Sequence, residues 1–152
     1  MGDDAIGRIE AALIMLVRRA TDPRANRDVN RAAGIDIERA GAVMLARVEE
    51  LEPVRLSELA EAAGVDTSTA SRQVARLVDD GLVVRSPDPD DGRATAHRLT
   101  PAGRDVRQRL NEVRRAWFDE VLADFDPRER ARFADLLERF VARMQPDDRD
   151  TT

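Results

Sequence analysis

Thr67, Ser68, Thr69, Ser71, Arg72, Gln73 and Arg76 stand close together in a stretch whose apolar members are Ala70, Val74 and Leu77. Short hydroxyls and a carboxamide donate and accept hydrogen bonds without filling space. A guanidinium presents a planar fork of donors that matches a phosphate or the edge of a guanine. At 100° per residue, Ala70, Val74 and Leu77 share the inward side of a helix. Ser68 and Arg72 lie opposite, flanked by Thr69, Ser71, Ala75 and Arg76. No acidic residue interrupts that face before Asp79. This chemistry suits reading a polyanion rather than making or breaking bonds.

Two smaller groups add to it. Arg93 follows the turn-rich run Pro87 to Gly92, and a lone arginine at a hairpin tip can enter a narrow minor groove, where negative potential is focused. Asp91, two residues earlier, is placed to orient it. Ser57 precedes a helix of about two turns, which it is expected to cap, and the hydroxyl with the exposed amides there can hold a phosphate.

Catalytic chemistry finds little to work with. There is no cysteine, no tyrosine and one histidine, so thiolate nucleophiles, disulfides and thiol redox sensing are excluded. No glycine-rich phosphate loop or zinc-ligand spacing occurs. The pairs Glu49-Glu50 and Asp147-Asp148 read as solvated charges. No enzyme activity, catalytic residue, metal or cofactor is expected.

The elements that must position these groups follow from periodicity. Ile6, Ile9, Leu13, Leu16 and Val17 give an amphipathic helix over about 5–20. Asp22-Pro23 starts a short helix that Gly34 ends. Asp36 is expected to cap the next, with Ile37, Ala40, Met44, Val48 and Leu51 on its apolar face. Val54 to Leu56 reads as a short strand. Ser57 opens a helix that stops at Gly64, and Asp66 caps a second one running to about Asp80. Leu82 to Arg85 and Ala94 to Leu99 form a hairpin. Thr100-Pro101 and Asp126-Pro127 start two further helices. The first carries Val106, Leu110, Val113, Trp117 and Val121, the second Phe133, Leu136, Leu137, Phe140 and Met144. The expected architecture is mainly α with a small β-hairpin wing, a winged helix-turn-helix flanked by terminal helices. By residue it divides into 1–35, N-terminal helices of a dimerisation region; 36–100, a DNA-binding lobe; 101–144, C-terminal dimerisation helices; and 145–152, a disordered tail.

The 152 residues carry a net charge of −5, which argues against a generally basic nucleic-acid binder. All 25 basic residues are arginine, so placement matters more than the total. No apolar run reaches membrane-spanning length, and the acidic start lacks the features of a signal peptide, so a cytoplasmic location is expected.

The stretch from Leu59 to Leu77 resembles the core of the MarR family of bacterial transcription regulators. So do Asp88-Pro89-Asp90-Asp91-Gly92-Arg93 and Leu99-Thr100-Pro101-Ala102-Gly103, and the resemblance extends over about 5–144. It implies a homodimer built from the terminal helices, binding double-stranded DNA at a pseudo-palindrome with half-sites about one helical turn apart. It also implies a repressor, and for many members a small, often aromatic effector that releases DNA. Ser57, Thr67, Ser68, Thr69, Ser71, Arg72, Gln73, Arg76, Asp91 and Arg93 are then the expected DNA-binding residues.

Two features depart from the family pattern. His97 holds a commonly apolar position on the strand face of Leu99, and packing at the hairpin base is its plainer reading beside a pH switch. The wing is rich in aspartate, with Asp88, Asp90 and Asp91. Arg76 is open between contacting DNA and pairing with Asp79 or Asp80. Trp117 fits the core or dimer interface better than a ligand stack. As alternatives, the fold serves as a protein-interaction module, or the chain is an activator of this type without ligand response.

Overall fold

The computed structural model describes residues 4–144. The chain divides into two units, the first through Val113 and the second from Arg114. The expected disordered tail and the Asp147-Asp148 pair lie outside the described residues.

In the first unit, α1 (Asp4–Thr21) is followed by α2 (Pro23–Ala33), whose cap Asp22 accepts the Arg24 amide at 2.8 Å. α3 is Arg39–Leu51. It starts later than the Asp36 cap predicted. Glu38 holds the cap position without a side-chain bond. The reason is Ile37, which is buried and whose carbonyl accepts a hydrogen bond from the buried Asn30 side chain, so residues 35–38 run as a connector. The inward face of α3 is therefore Gly41, Met44, Leu45 and Val48, whereas Ala40 and Leu51 are exposed.

β1 (Val54–Arg55) leads directly into α4 (Leu56–Ala63). Ser57 is not the cap. Arg55 takes that position because it is already extended in the sheet, and Glu58 folds back to accept its amide at 2.8 Å. Gly64 ends α4 at φ 64°, a left-handed conformation that only glycine adopts at little cost. α5 (Thr67–Asp79) follows at once, then β2 (Val83–Pro87) and β3 (Thr95–Leu99). Both hairpin strands lie within about two residues of expectation. β3 is central in a three-stranded antiparallel sheet ordered β1-β3-β2, with Val54 opposite His97 and Val83 opposite Leu99.

One core joins these elements. Met44, Leu45 and Val48 of α3 meet Leu59 of α4, Ala70, Val74 and Leu77 of α5, and Val83 and Leu99 of the sheet. Each fully buried leucine or valine contributes roughly 1.5–3 kcal/mol, which fixes α5 by its inner side and leaves its outer side to solvent. α6 (Pro101–Val121) begins in this unit, with Val106 and Leu110 buried against the same core. Glu49, expected to be a solvated charge, instead accepts the Arg107 Nε–H at 2.8 Å, and Arg107 is 6% exposed.

In the second unit, α6 ends and α7 (Pro127–Met144) follows. Asp126 accepts the amides of Arg128 and Glu129 at 2.7 and 2.9 Å, and Glu129 returns the bond to the Asp126 amide. Trp117 meets Phe118 edge to face with centroids 4.9 Å apart. Neither α1 nor α7 contains a buried residue.

Candidate nucleic-acid interface

The outer side of α5 is organised from its cap. Asp66 accepts the Thr69 amide at 2.8 Å and its hydroxyl at 2.7 Å. These bonds, the hydroxyl first, with a further one from Ser68, lower the Asp66 carboxyl to about 2. Because the Thr69 proton is committed to Asp66, its oxygen is left to accept, and Arg72 Nη2 donates to it at 3.2 Å. Thr69 thus steers Arg72 and is itself only half exposed. Ser68, Ser71 and Arg72 are exposed together, as the helical spacing required, and Thr67 is exposed beside them at the first position of α5.

Gln73 and Arg76 turn towards the start of α3. Gln73 is half-buried, and Arg76 Nη1 donates to Glu38 at 2.9 Å. The pairing with Asp79 or Asp80 considered from sequence is replaced by this longer-range one. Ser57 is exposed on the first turn of α4, but the Glu58 carboxylate stands at the same helix start, an unfavourable neighbour for a phosphate.

The wing tip forms a second group. Asp88 is 8% exposed and accepts the amides of Asp90 and Asp91 at 2.8 and 3.0 Å. Its other oxygen accepts Arg55 Nε–H at 2.6 Å. The Arg55 bond, then the Asp90 amide, holds this carboxyl far below the usual carboxylate range. Of the three wing aspartates, Asp88 therefore belongs to the framework, and Asp90 and Asp91 are exposed. Asp91 accepts the backbone N–H of Arg93 at 3.1 Å, so it orients the chain at Arg93 rather than gripping the guanidinium. The Arg93 side chain is exposed.

Between α5 and the wing sheet lies a cavity of about 270 Å³, lined by Leu56, Ser71, Val74, Arg85, Thr95 and His97. His97 is buried, with Nδ1 3.3 Å from the Val54 carbonyl oxygen. Burial is the main influence pushing its pKa below 6.5, the Val54 carbonyl opposes it, and the cross-strand Arg85 adds to the lowering. A histidine with a depressed folded pKa binds fewer protons native than unfolded below 6.5, so stability is full above that pH and is lost as pH falls. Asp66 and Asp88, depressed from 3.8, contribute fully throughout that range. The urea midpoint is expected to fall between about pH 7.5 and 5.5, and His97→Gln to flatten that slope. A parent midpoint that does not move would contradict the buried neutral imidazole.

Arg55, Arg85 and Glu38 are not singled out from sequence, and Asp88 is noted only as part of an acidic wing. The partners Arg55 and Asp88 lie 33 positions apart and Glu38 and Arg76 lie 38 apart, where no periodicity points, and Arg85 meets His97 only through the hairpin register. Among the described residues no cluster of three or more His, Cys, Asp or Glu side chains is arranged for a metal ion, and no helix is long and apolar enough to cross a membrane.

The sequence model of the MarR family matches residues 37–95, from the buried Ile37 to the first residue of β3. The chain is 32% identical over 133 residues to the HTH-type transcriptional regulator YxaD of Bacillus subtilis, covering 86% of this chain and 89% of that protein. It is 40% identical over 63 residues, 41% of this chain and 38% of the other, to the HTH-type transcriptional repressor IacR of Pseudomonas putida. Among solved structures, a MarR family transcriptional regulator from Silicibacter pomeroyi is 30% identical with a TM-score of 0.69, covering 97% of this chain and 99% of that one. A MarR family protein from Bacillus stearothermophilus shares the fold at a TM-score of 0.82 and 22% identity, covering 95% and 98%. Two helices joined at Gly64, a hairpin behind them and this likeness along most of the chain lead to one conclusion: the chain belongs to the MarR family of winged helix-turn-helix transcription regulators, which are not enzymes and whose membership implies binding to DNA.

Proposed function

We propose that this regulator is a homodimeric repressor that lays α5 of each subunit into successive major grooves of a pseudo-palindromic operator and reaches the flanking minor grooves with Arg93. The observation that carries the reading is the outer side of α5, where Thr67, Ser68, Ser71 and Arg72 are exposed together and Thr69 aims the Arg72 guanidinium. Such a face has donors for phosphate and base edges and none of the apolar anchors that a protein-binding face needs.

Dimerisation is supported by the terminal helices. Ile6, Ile9, Leu16 and Val17 of α1 and Phe133, Leu136, Phe140 and Met144 of α7 are large apolar side chains left exposed. Stripes of this length call for a partner surface, and a second copy supplies both halves of a two-fold site. In this reading residues 1–35 and 101–144 serve dimerisation and 36–100 form the DNA-binding lobe. The repressor role is supported by the name of the Pseudomonas putida relative. A small effector that shifts the population of lobe spacings would release DNA from the cytoplasmic regulator of a bacterial cell.

Arg72→Ala is expected to weaken binding to the preferred duplex by about 1–3 kcal/mol and to relax preference at one base pair per half-site. Anisotropy titrations against that duplex and its single-base variants read both effects. Parent affinity and parent selectivity in this variant would remove Arg72 as a base reader.

A further inference from the structure

We infer that Arg55 and Asp88 are positioning residues for DNA binding, a bridge from the first helix of the helix-turn-helix to the wing that sets where Arg93 stands. The inference rests on the reading of Arg93 as the wing's DNA contact.

The bridge can be followed atom by atom. Arg55 closes β1 and holds the cap position of α4, its amide fixed by Glu58 and its strand position by the pairing with Ala96. Its Nε–H reaches one oxygen of Asp88 at 2.6 Å. The other oxygen of Asp88 collects the amides of Asp90 and Asp91. The Asp88 amide donates to the Ala94 carbonyl at 3.0 Å, and the Ala94 amide donates to the Asp91 carbonyl at 2.8 Å. Asp91 then takes the Arg93 amide. The Asp88 carboxylate gathers the amides of Asp90 and Asp91, Asp91 in turn takes those of Arg93 and Ala94, and the Asp88 carboxylate is tied to the cap residue of α4 by one side chain.

The chemistry of the pair fits a fixed bridge better than a surface ion pair. Asp88 is buried, so its charge needs a partner, and among the described residues Arg55 is the cation within ion-pair distance. Arg55 remains charged at any working pH, its pKa raised further by Asp88. A hairpin tip without such a tie moves independently of the helices behind it. Here the groove-reading helix pair and the minor-groove arginine would be held at one separation before DNA arrives, which lowers the ordering cost of binding.

A double-mutant cycle in the full-length protein tests this, with Arg55→Gln, Arg93→Ala and the combination, titrated against the duplex the parent prefers. All titrations are run well below each variant's unfolding midpoint. The expected result is a loss of roughly fivefold to tenfold for R93A, a similar or somewhat smaller loss for R55Q, and no additional loss when R55Q is added to R93A. Arg55→Lys, which keeps the charge and a donor, should recover part of the affinity. If R55Q does not fold, Asp88→Asn takes its place, since its amide oxygen still accepts from Asp90 and Asp91 while the charge facing Arg55 is gone. Additive losses, or parent affinity in a folded R55Q or D88N, would overturn the bridge while leaving the DNA reading intact. Parent affinity in R93A, or a parent that binds no duplex, would overturn the wing reading and the bridge with it.

Discussion

Gly103→Ala is expected to destabilise the protein by roughly 3 kcal/mol, although helix propensity alone would credit alanine with up to about 1 kcal/mol. A Cβ at this position would lie 2.1 Å from the Leu82 carbonyl oxygen and 3.1 Å from its carbon. That carbonyl cannot step aside cheaply. It accepts the Thr100 amide at 3.0 Å, and the Leu82 amide is bound to the Leu77 carbonyl at 2.8 Å. Thr100 locks the same corner from its side chain, donating to the Gly81 carbonyl at 2.7 Å and accepting the Gly103 amide at 3.0 Å. The start of α6 is therefore clasped to the turn between α5 and β2. Relieving the clash moves α6 or breaks the clasp, and the end of α5 and the root of the wing shift with it. Urea unfolding of parent and variant checks the sign. An unchanged or raised midpoint would mean that the close approach at Leu82 does not exist in solution.

The second large effect lies at Glu49. Its loss leaves Arg107, 6% exposed, with the 3.4 Å contact to Asn111 as its remaining hydrogen bond among the described residues. Breaking a fully buried pair from one side costs about 3–5 kcal/mol. The Glu49 side chain is 35% exposed, so water can reach part of the vacated space, and Glu49→Ala is expected to cost nearer 2–3 kcal/mol on the same scale. Replacing the cation as well, with Glu49→Ala and Arg107→Met together, should recover most of that loss, because an apolar pair of similar bulk carries no stranded charge. A cycle of unfolding free energies measures it. A single-variant loss under about 0.5 kcal/mol would place the pair among ordinary surface contacts.

These two sites also mark what the sequence makes legible. Helix starts at Asp22, Asp66, Thr100 and Asp126 are readable because the cap oxygen and the backbone amide that donates to it lie within a few residues. The outer side of α5 is readable because helical spacing alone separates Ala70, Val74 and Leu77 from Ser68, Ser71 and Arg72. Asp36 and Ser57 carry the same local signal and are not caps. At the first, burial of Ile37 outweighs it; at the second, sheet pairing of Arg55 does. The ion pairs Arg55–Asp88, Arg76–Glu38 and Arg107–Glu49 join residues 33, 38 and 58 positions apart, and only the fold brings them together. The Gly103 approach belongs to the same class, since a small residue in a helix names no neighbour. The polar outer side of α5 is more legible than the geometry supporting it, because a face needs only residue types at helical spacing and support needs the tertiary structure.

The most direct test of a dimeric, sequence-reading regulator is selection of bound duplexes from a random library by the purified protein near physiological salt. Enrichment of a pseudo-palindrome with half-sites roughly 10 base pairs apart, centre to centre, is the predicted result. No enriched sequence, with binding that stays weak even at low salt, would contradict it.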